Sequence, residues 1–69
     1  MNQGLAQSIG VLIRSTRKQE NISQEQLALL TGIDRSYLGR IERGEVSVTV
    51  EKLAQIAVIL NVDIKSLIP

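Results

Sequence analysis

Cysteine and histidine are both absent from the 69 residues. No disulfide can staple the chain, and no thiolate or imidazole is available to bind a metal or act as nucleophile or base. Neither tryptophan nor phenylalanine occurs, and Tyr37 is the one aromatic residue, so the core has to be aliphatic. Charge of either sign is not in excess. Eight basic residues against seven acidic ones leave a net +1, a weak pointer to nucleic acid taken alone. Long apolar runs are missing too: residues 9–13 are too few to span a bilayer and stop at Arg14. The start, MNQGLAQ, lacks the basic region of a secretory signal, and the expected location is cytoplasmic. No glycine-rich phosphate loop occurs. Glu25, Asp34 and Glu51 sit at helix starts, where a carboxylate favours the helix dipole, so an enzyme is not expected. No metal, cofactor or small-molecule ligand is implied.

What remains is helix grammar. A chain this short buries only about 60% of the surface its unfolded form exposes, so helix packing or a second subunit has to stabilise it. The chain reads as one domain, 1–69. Leu5, Ile9, Leu12, Ile13 and Thr16 recur at helical spacing and predict a first helix over 4–20, with Asn21 as its left-handed end. Ser23 with Gln26 forms a capping box for a second helix, whose Leu27, Ala28 and Leu30 are expected inside. After Thr31-Gly32-Ile33 comes a third helix, capped by Asp34 and stopped by Gly44. Two short helices joined by a three-residue turn containing glycine are the helix-turn-helix pattern. Thr49 caps a fourth helix with Leu53, Ala54, Ile56, Ala57 and Leu60 inside, and Asp63 caps a short fifth. Each of the four later helices shows an aliphatic residue, then a cap, then an apolar residue five positions after the first. The pairs are Ile22 with Leu27, Ile33 with Leu38, Val48 with Leu53, and Val62 with Leu67. Residues 46–50 alternate like a strand but have no second strand to pair with, and are read as loop.

The third helix, within DRSYLGRIERG at 34–44, organises the rest. Leu38 and Ile41 make its apolar side; Arg35, Ser36, Gly39, Arg40 and Arg43 make the other. Arginine's planar fork matches the O6/N7 edge of guanine, and a serine hydroxyl serves a base or a phosphate. The competing reading is an ordinary solvated face. Gly39 costs about 1 kcal/mol against alanine in a helix interior, a cost explained by close approach of DNA or protein. The nearby acids considered are Asp34, assigned to capping, and Glu42, assigned to an ion pair.

The stretch SQEQLALLTGIDRSYLGRIERG resembles the Cro and phage-repressor type of helix-turn-helix proteins, also called Xre-like. The resemblance covers residues 9–68 and is carried by Gln24, Leu27-Ala28, Gly32, Leu38, Ile41-Glu42 and Gly44. Asp34-Arg35-Ser36-Tyr37 and Ile41-Glu42-Arg43-Gly44 are most similar to restriction–modification controller proteins. The resemblance implies an all-α, five-helix, lambda-repressor-like DNA-binding domain. It also implies a transcriptional regulator, repressor or controller, that binds double-stranded DNA at a near-palindromic operator as a homodimer. Residues 34–43 would be the recognition helix.

By that resemblance Arg35, Ser36, Tyr37 and Arg40 would reach base edges. Gln24, Arg43, Arg14 and Ser47 would meet phosphate, and Arg17 would pair with Glu42 as a structural salt bridge. Each has a plain alternative. Tyr37 could pack over the turn, Gln24 and Arg14 could be solvated, and Arg43 could be a cation suiting a helix C-terminus. The loop 45–48 carries no lysine or arginine, unlike many relatives, which implies fewer phosphate contacts. Since the sequence runs little past the fifth helix, pairing is expected to use the domain itself. Val62, Ile64, Leu67 and Ile68 are the candidate dimer interface, the alternative being a local core. A protein-interaction module, antitoxin-like or an adaptor, is the competing function.

Overall fold

The computed structural model describes residues 3–69 of the chain. The domain reading 1–69 and the reading of the opening residues also involve Met1 and Asn2, which lie outside the described residues. Four α-helices follow in order: α1 (Gln3–Gln19), α2 (Gln24–Thr31), α3 (Arg35–Glu42) and α4 (Val50–Leu60). A single 3-10 turn, Ile64–Leu67, closes the described chain. The expected fifth α-helix is therefore corrected to four residues of 3-10 turn. Asp63 caps it, but Pro69 lies too close for a second turn to form. No strand occurs among the described residues, and the segment 45–48 is loop.

Every cap that the sequence announces is made. Ser23 Oγ accepts from Gln26 N–H at 3.0 Å, while Ser23 N–H donates to Gln26 Oε1 at 2.8 Å. The carboxylate of Asp34 accepts from Tyr37 N–H, Thr49 Oγ1 from Lys52 N–H, and Asp63 Oδ1 from Lys65 N–H. Each such cap stabilises its helix by about 1 kcal/mol.

The four α-helices also end alike. A residue at positive φ follows each: Asn21 (57°), Gly32 (72°), Gly44 (74°) and Asn61 (59°). The next N–H turns back onto the carbonyl five residues earlier: Ile22 to Arg17, Ile33 to Ala28, Glu45 to Arg40, Val62 to Ala57. This is the Schellman closure, which satisfies carbonyls the helix leaves open. In three of the four cases the residue that closes one helix is also the aliphatic residue before the next cap. Ile22, Ile33 and Val62 thus end one element with the backbone N–H and stand before the next cap with a side chain packed into the core.

The staple partners Leu27, Leu38, Leu53 and Leu67 are all buried, and with Ile13, Ile41, Ile56 and Leu60 they fill the centre. Burying such a side chain contributes about 1.5–3 kcal/mol each. Two inward assignments fail: Leu30 and Ala54 are exposed. Helix α2 is only eight residues long, and its buried positions are Leu27 and Ala28 alone. Leu30 therefore faces outward beside Leu29. Helix α1 crosses the end of α3 so closely that a Cβ on Gly10 would stand 2.5 Å from the carbonyl oxygens of both Ile41 and Glu42.

Candidate nucleic-acid interface

Helix α3 is anchored by Leu38 and Ile41, both buried, and sends Arg35, Ser36 and Arg40 to the surface. The turn that aims it depends on Gly32, whose φ of 72° strains any residue with a Cβ. Ile33 is buried immediately after it, so the chain cannot run on straight from α2 into α3.

The last turn of α3 is fastened by a polar network that joins three helices. Arg17 on α1 donates from Nε to Glu42 Oε2 at 2.8 Å and from Nη2 to Oε1 at 3.0 Å. Its Nη1 donates to the carbonyl of Ile22 at 3.0 Å. Gln24, the first residue of α2, donates from Nε2 to the same Glu42 Oε1 at 3.1 Å. Arg17 and Glu42 are both buried, and no buried side-chain polar atom among the described residues lacks a partner. A buried pair repays its desolvation only when its geometry is good and its spare donors are used. Here the fork is bidentate and both conditions hold.

Gly39 is not on the open face. It is buried, and a Cβ there would lie 3.1 Å from Arg43 Nη1 and 3.6 Å from Gln24 Oε1. The close neighbour that its small size serves is this pair of side chains. Gln24 thus spans from α2 to α3, with its amide nitrogen already committed to Glu42. Around it Arg14, Arg17, Gln24, Gly39, Glu42 and Arg43 line a shallow polar depression. Arg14, expected at phosphate, is exposed on its rim.

The remaining expected contacts divide. Arg35 and Ser36 are exposed, and Arg35 has no ion pair among the described residues. Tyr37 is half-buried against the core, and its hydroxyl donates to the carbonyl of Ser47 at 3.4 Å. That contact ties the loop 45–48 to α3. Val46 and Val48, on either side of Ser47, pack against the core, which leaves Ser47 on the surface.

Glu45 also stands beside this face, and no pattern in the sequence marks it. Its Oε2 accepts from Arg43 Nε at 2.6 Å, and its Oε1 lies 3.9 Å from Arg40 Nε. The hydrogen bond from Arg43 holds the Glu45 carboxyl below the usual glutamate range; desolvation opposes it, and the charges of Arg43 and Arg40 add smaller effects in the same downward direction. The basic face is accordingly less positive than a count of Asp34 and Glu42 alone suggests. The i,i+2 spacing gives no helical pairing, so only recognition of the turn at Gly44 could have flagged it.

The four residues expected at a dimer interface do not form one exposed set. Leu67 is fully buried in the monomer's own core, as the staple partner of Val62, and is removed from the candidate surface. Val62 and Ile64 are half-buried, and Ile68 is exposed.

Residues 13–67 match the helix-turn-helix family model HTH_3. Control protein C.SmaI of Serratia marcescens is 43% identical over 56 residues, 81% of this chain and 67% of that protein. The HTH-type transcriptional regulator SutR of Escherichia coli is 38% identical over 66 residues, 96% of this chain but 37% of its own length. The crystal structure of the restriction-modification controller protein C.AhdI from Aeromonas hydrophila superposes with a TM-score of 0.86 at 35% identity, covering 90% of this chain and 94% of that one. The fold, the hinge at Gly32 and these matches agree: the chain belongs to the Xre-like helix-turn-helix family HTH_3, a family of transcriptional regulators that includes controller proteins.

Proposed function

We propose that the chain is a sequence-specific DNA-binding regulator that places α3 in the major groove of a near-palindromic operator as a homodimer. The observation that carries this reading is the outward set Arg35, Ser36 and Arg40 on a helix whose other side is locked by Leu38, Ile41 and the Arg17–Glu42–Gln24 network. A recognition helix must be rigid in its mount and free at its reading edge. Arg35, Ser36 and Arg40 are assigned to base edges, with Tyr37 bordering them. Arg14, Gln24, Arg43 and Ser47 are assigned to phosphate. The exposed Ile68, with the half-buried Val62 and Ile64, is assigned to a two-fold contact that would set two α3 helices about 34 Å apart, one turn of B-DNA.

Selection from a random duplex pool tests this directly. The expected result is an enriched inverted repeat. Enrichment of no sequence, or of single half-sites only, would remove sequence specificity or the two-fold dimer respectively.

One observation favours a second reading, a protein-interaction module on the same fold. Leu29 and Leu30 of α2 are both exposed, at 81% and 58%, an unusual pair for a free surface. Salt separates the two readings. Binding that neutralises several phosphates weakens steeply between low and moderate salt, whereas an apolar protein contact does not.

A further inference from the structure

Three of the four helix-ending turns pack an aliphatic residue against the core at the position whose N–H closes the turn: Ile33, which is buried, and Ile22 and Val62, which are half-buried. The turn that ends α3 has Glu45 there instead. Gly44 at φ 74° reverses the chain, the Glu45 N–H donates to Arg40 carbonyl at 2.9 Å, and the acid comes back beside Arg43 and Arg40. The backbone closure therefore delivers a carboxylate to the basic face. Glu45 is itself exposed, so the contact is not forced by burial.

We infer that Glu45 is a built-in competitor of the DNA backbone: it occupies Arg43, and attracts Arg40, so that duplexes of arbitrary sequence are held weakly. This rests on the DNA-binding reading above. For Arg43 to take a phosphate, its hydrogen bond to Glu45 has to break. The freed carboxylate then stands close to a polyanion. A solvent-exposed pair is weak and salt-screened, which suits it to exchange with phosphate and not to permanent locking. The cluster of Arg40, Arg43 and Glu45 meets DNA with one net positive charge, not two. Arg35 stands outside this cluster and keeps its full charge for the operator.

The test measures binding of the full chain to a random-sequence duplex by fluorescence anisotropy, from about 50 to 200 mM salt. Wild type, Glu45→Gln, Arg43→Ala and the double variant are compared, with circular dichroism to verify folding. Glu45→Gln should bind more tightly, and its log–log salt slope should steepen by about 0.9, one additional phosphate neutralised. Its advantage over wild type should thus shrink about threefold across that range. In the Arg43→Ala background the slope change should vanish. An unchanged slope, or an equal gain without Arg43, would reduce Glu45 to a distant negative charge and overturn the inference. Failure of every variant to bind either random or selected duplexes would instead overturn the DNA-binding reading itself.

Discussion

The guanidinium of Arg17 and the carboxylate of Glu42, 25 residues apart in sequence, meet as a two-pronged fork at 2.8 and 3.0 Å with almost no access to water. Each therefore depends on the other. Removing one leaves an uncompensated charge, and Arg17→Met or Glu42→Leu alone should cost about 3–5 kcal/mol of folding stability. The double variant should recover much of that loss, because two apolar side chains leave no charge stranded. Urea denaturation of the four species gives the coupling energy directly. A double variant as unstable as the sum of the singles would mean the pair is not a unit.

Gly10 and Gly32 are constrained for different reasons, and alanine tells them apart. At Gly32 there is open space but a left-handed backbone, so Gly32→Ala should cost about 1–2 kcal/mol. At Gly10 the backbone is helical, yet a Cβ would meet two carbonyl oxygens of α3 at 2.5 Å. Gly10→Ala should be destabilising by about 1–3 kcal/mol despite its better helix propensity, by displacing α1 from α3. Thermal melts of both variants check the order. A stabilised Gly10→Ala would contradict the close crossing.

Arg35→Ala and Arg40→Ala should each weaken operator binding by about 1–3 kcal/mol and relax preference at one base position. Arg14→Ala should weaken binding to all sequences alike and lower the salt slope by about one. Titrations on matched operator and single-mismatch duplexes measure both effects. Uniform losses from Arg35→Ala across every duplex would move that residue to the phosphate class.

The Glu45 carboxyl should titrate below the ordinary glutamate range, and Arg43→Ala should raise it. The sign for stability follows: the pair's contribution is present above the unfolded-state glutamate pKa and is lost as pH falls through the lower folded-state value. Because both groups are exposed, the effect on overall stability should be small. Side-chain carboxyl NMR resolves it, and a Glu45 midpoint unmoved by Arg43→Ala would deny the pairing in solution.

Ile68→Asp places a charge on the exposed apolar end without touching the buried Leu67. It should leave the monomer folded and shift sedimentation towards a single chain, with loss of cooperative operator binding. Unchanged sedimentation would move the two-fold contact elsewhere.

The capping and stapling residues made the helix borders legible, because each cap is a local interaction within three residues. The inward face of short helices was less so. Leu30 lies three positions after Leu27, which satisfies periodicity, yet α2 buries only Leu27 and Ala28. Leu67 fits the sequence pattern of a staple partner and of an apolar chain end alike; packing allows only the first. Gly39 reads as outward in the sequence because its cover is a polar lid of Gln24 and Arg43, which no apolar pattern announces. Glu45 escaped because pairing rules for helices look three or four residues ahead, and its approach is made by a reversal of the backbone.

Tyr37 carries one last practical consequence. It is the chain's sole intrinsic fluorophore, since no tryptophan is present. Its ring stands half-sheltered on α3, with its hydroxyl lightly tethered to the carbonyl of Ser47. Ultraviolet emission from the unlabelled protein therefore has a single source on α3. Quenching there reports on the neighbourhood of that one ring, with no signal from elsewhere to subtract.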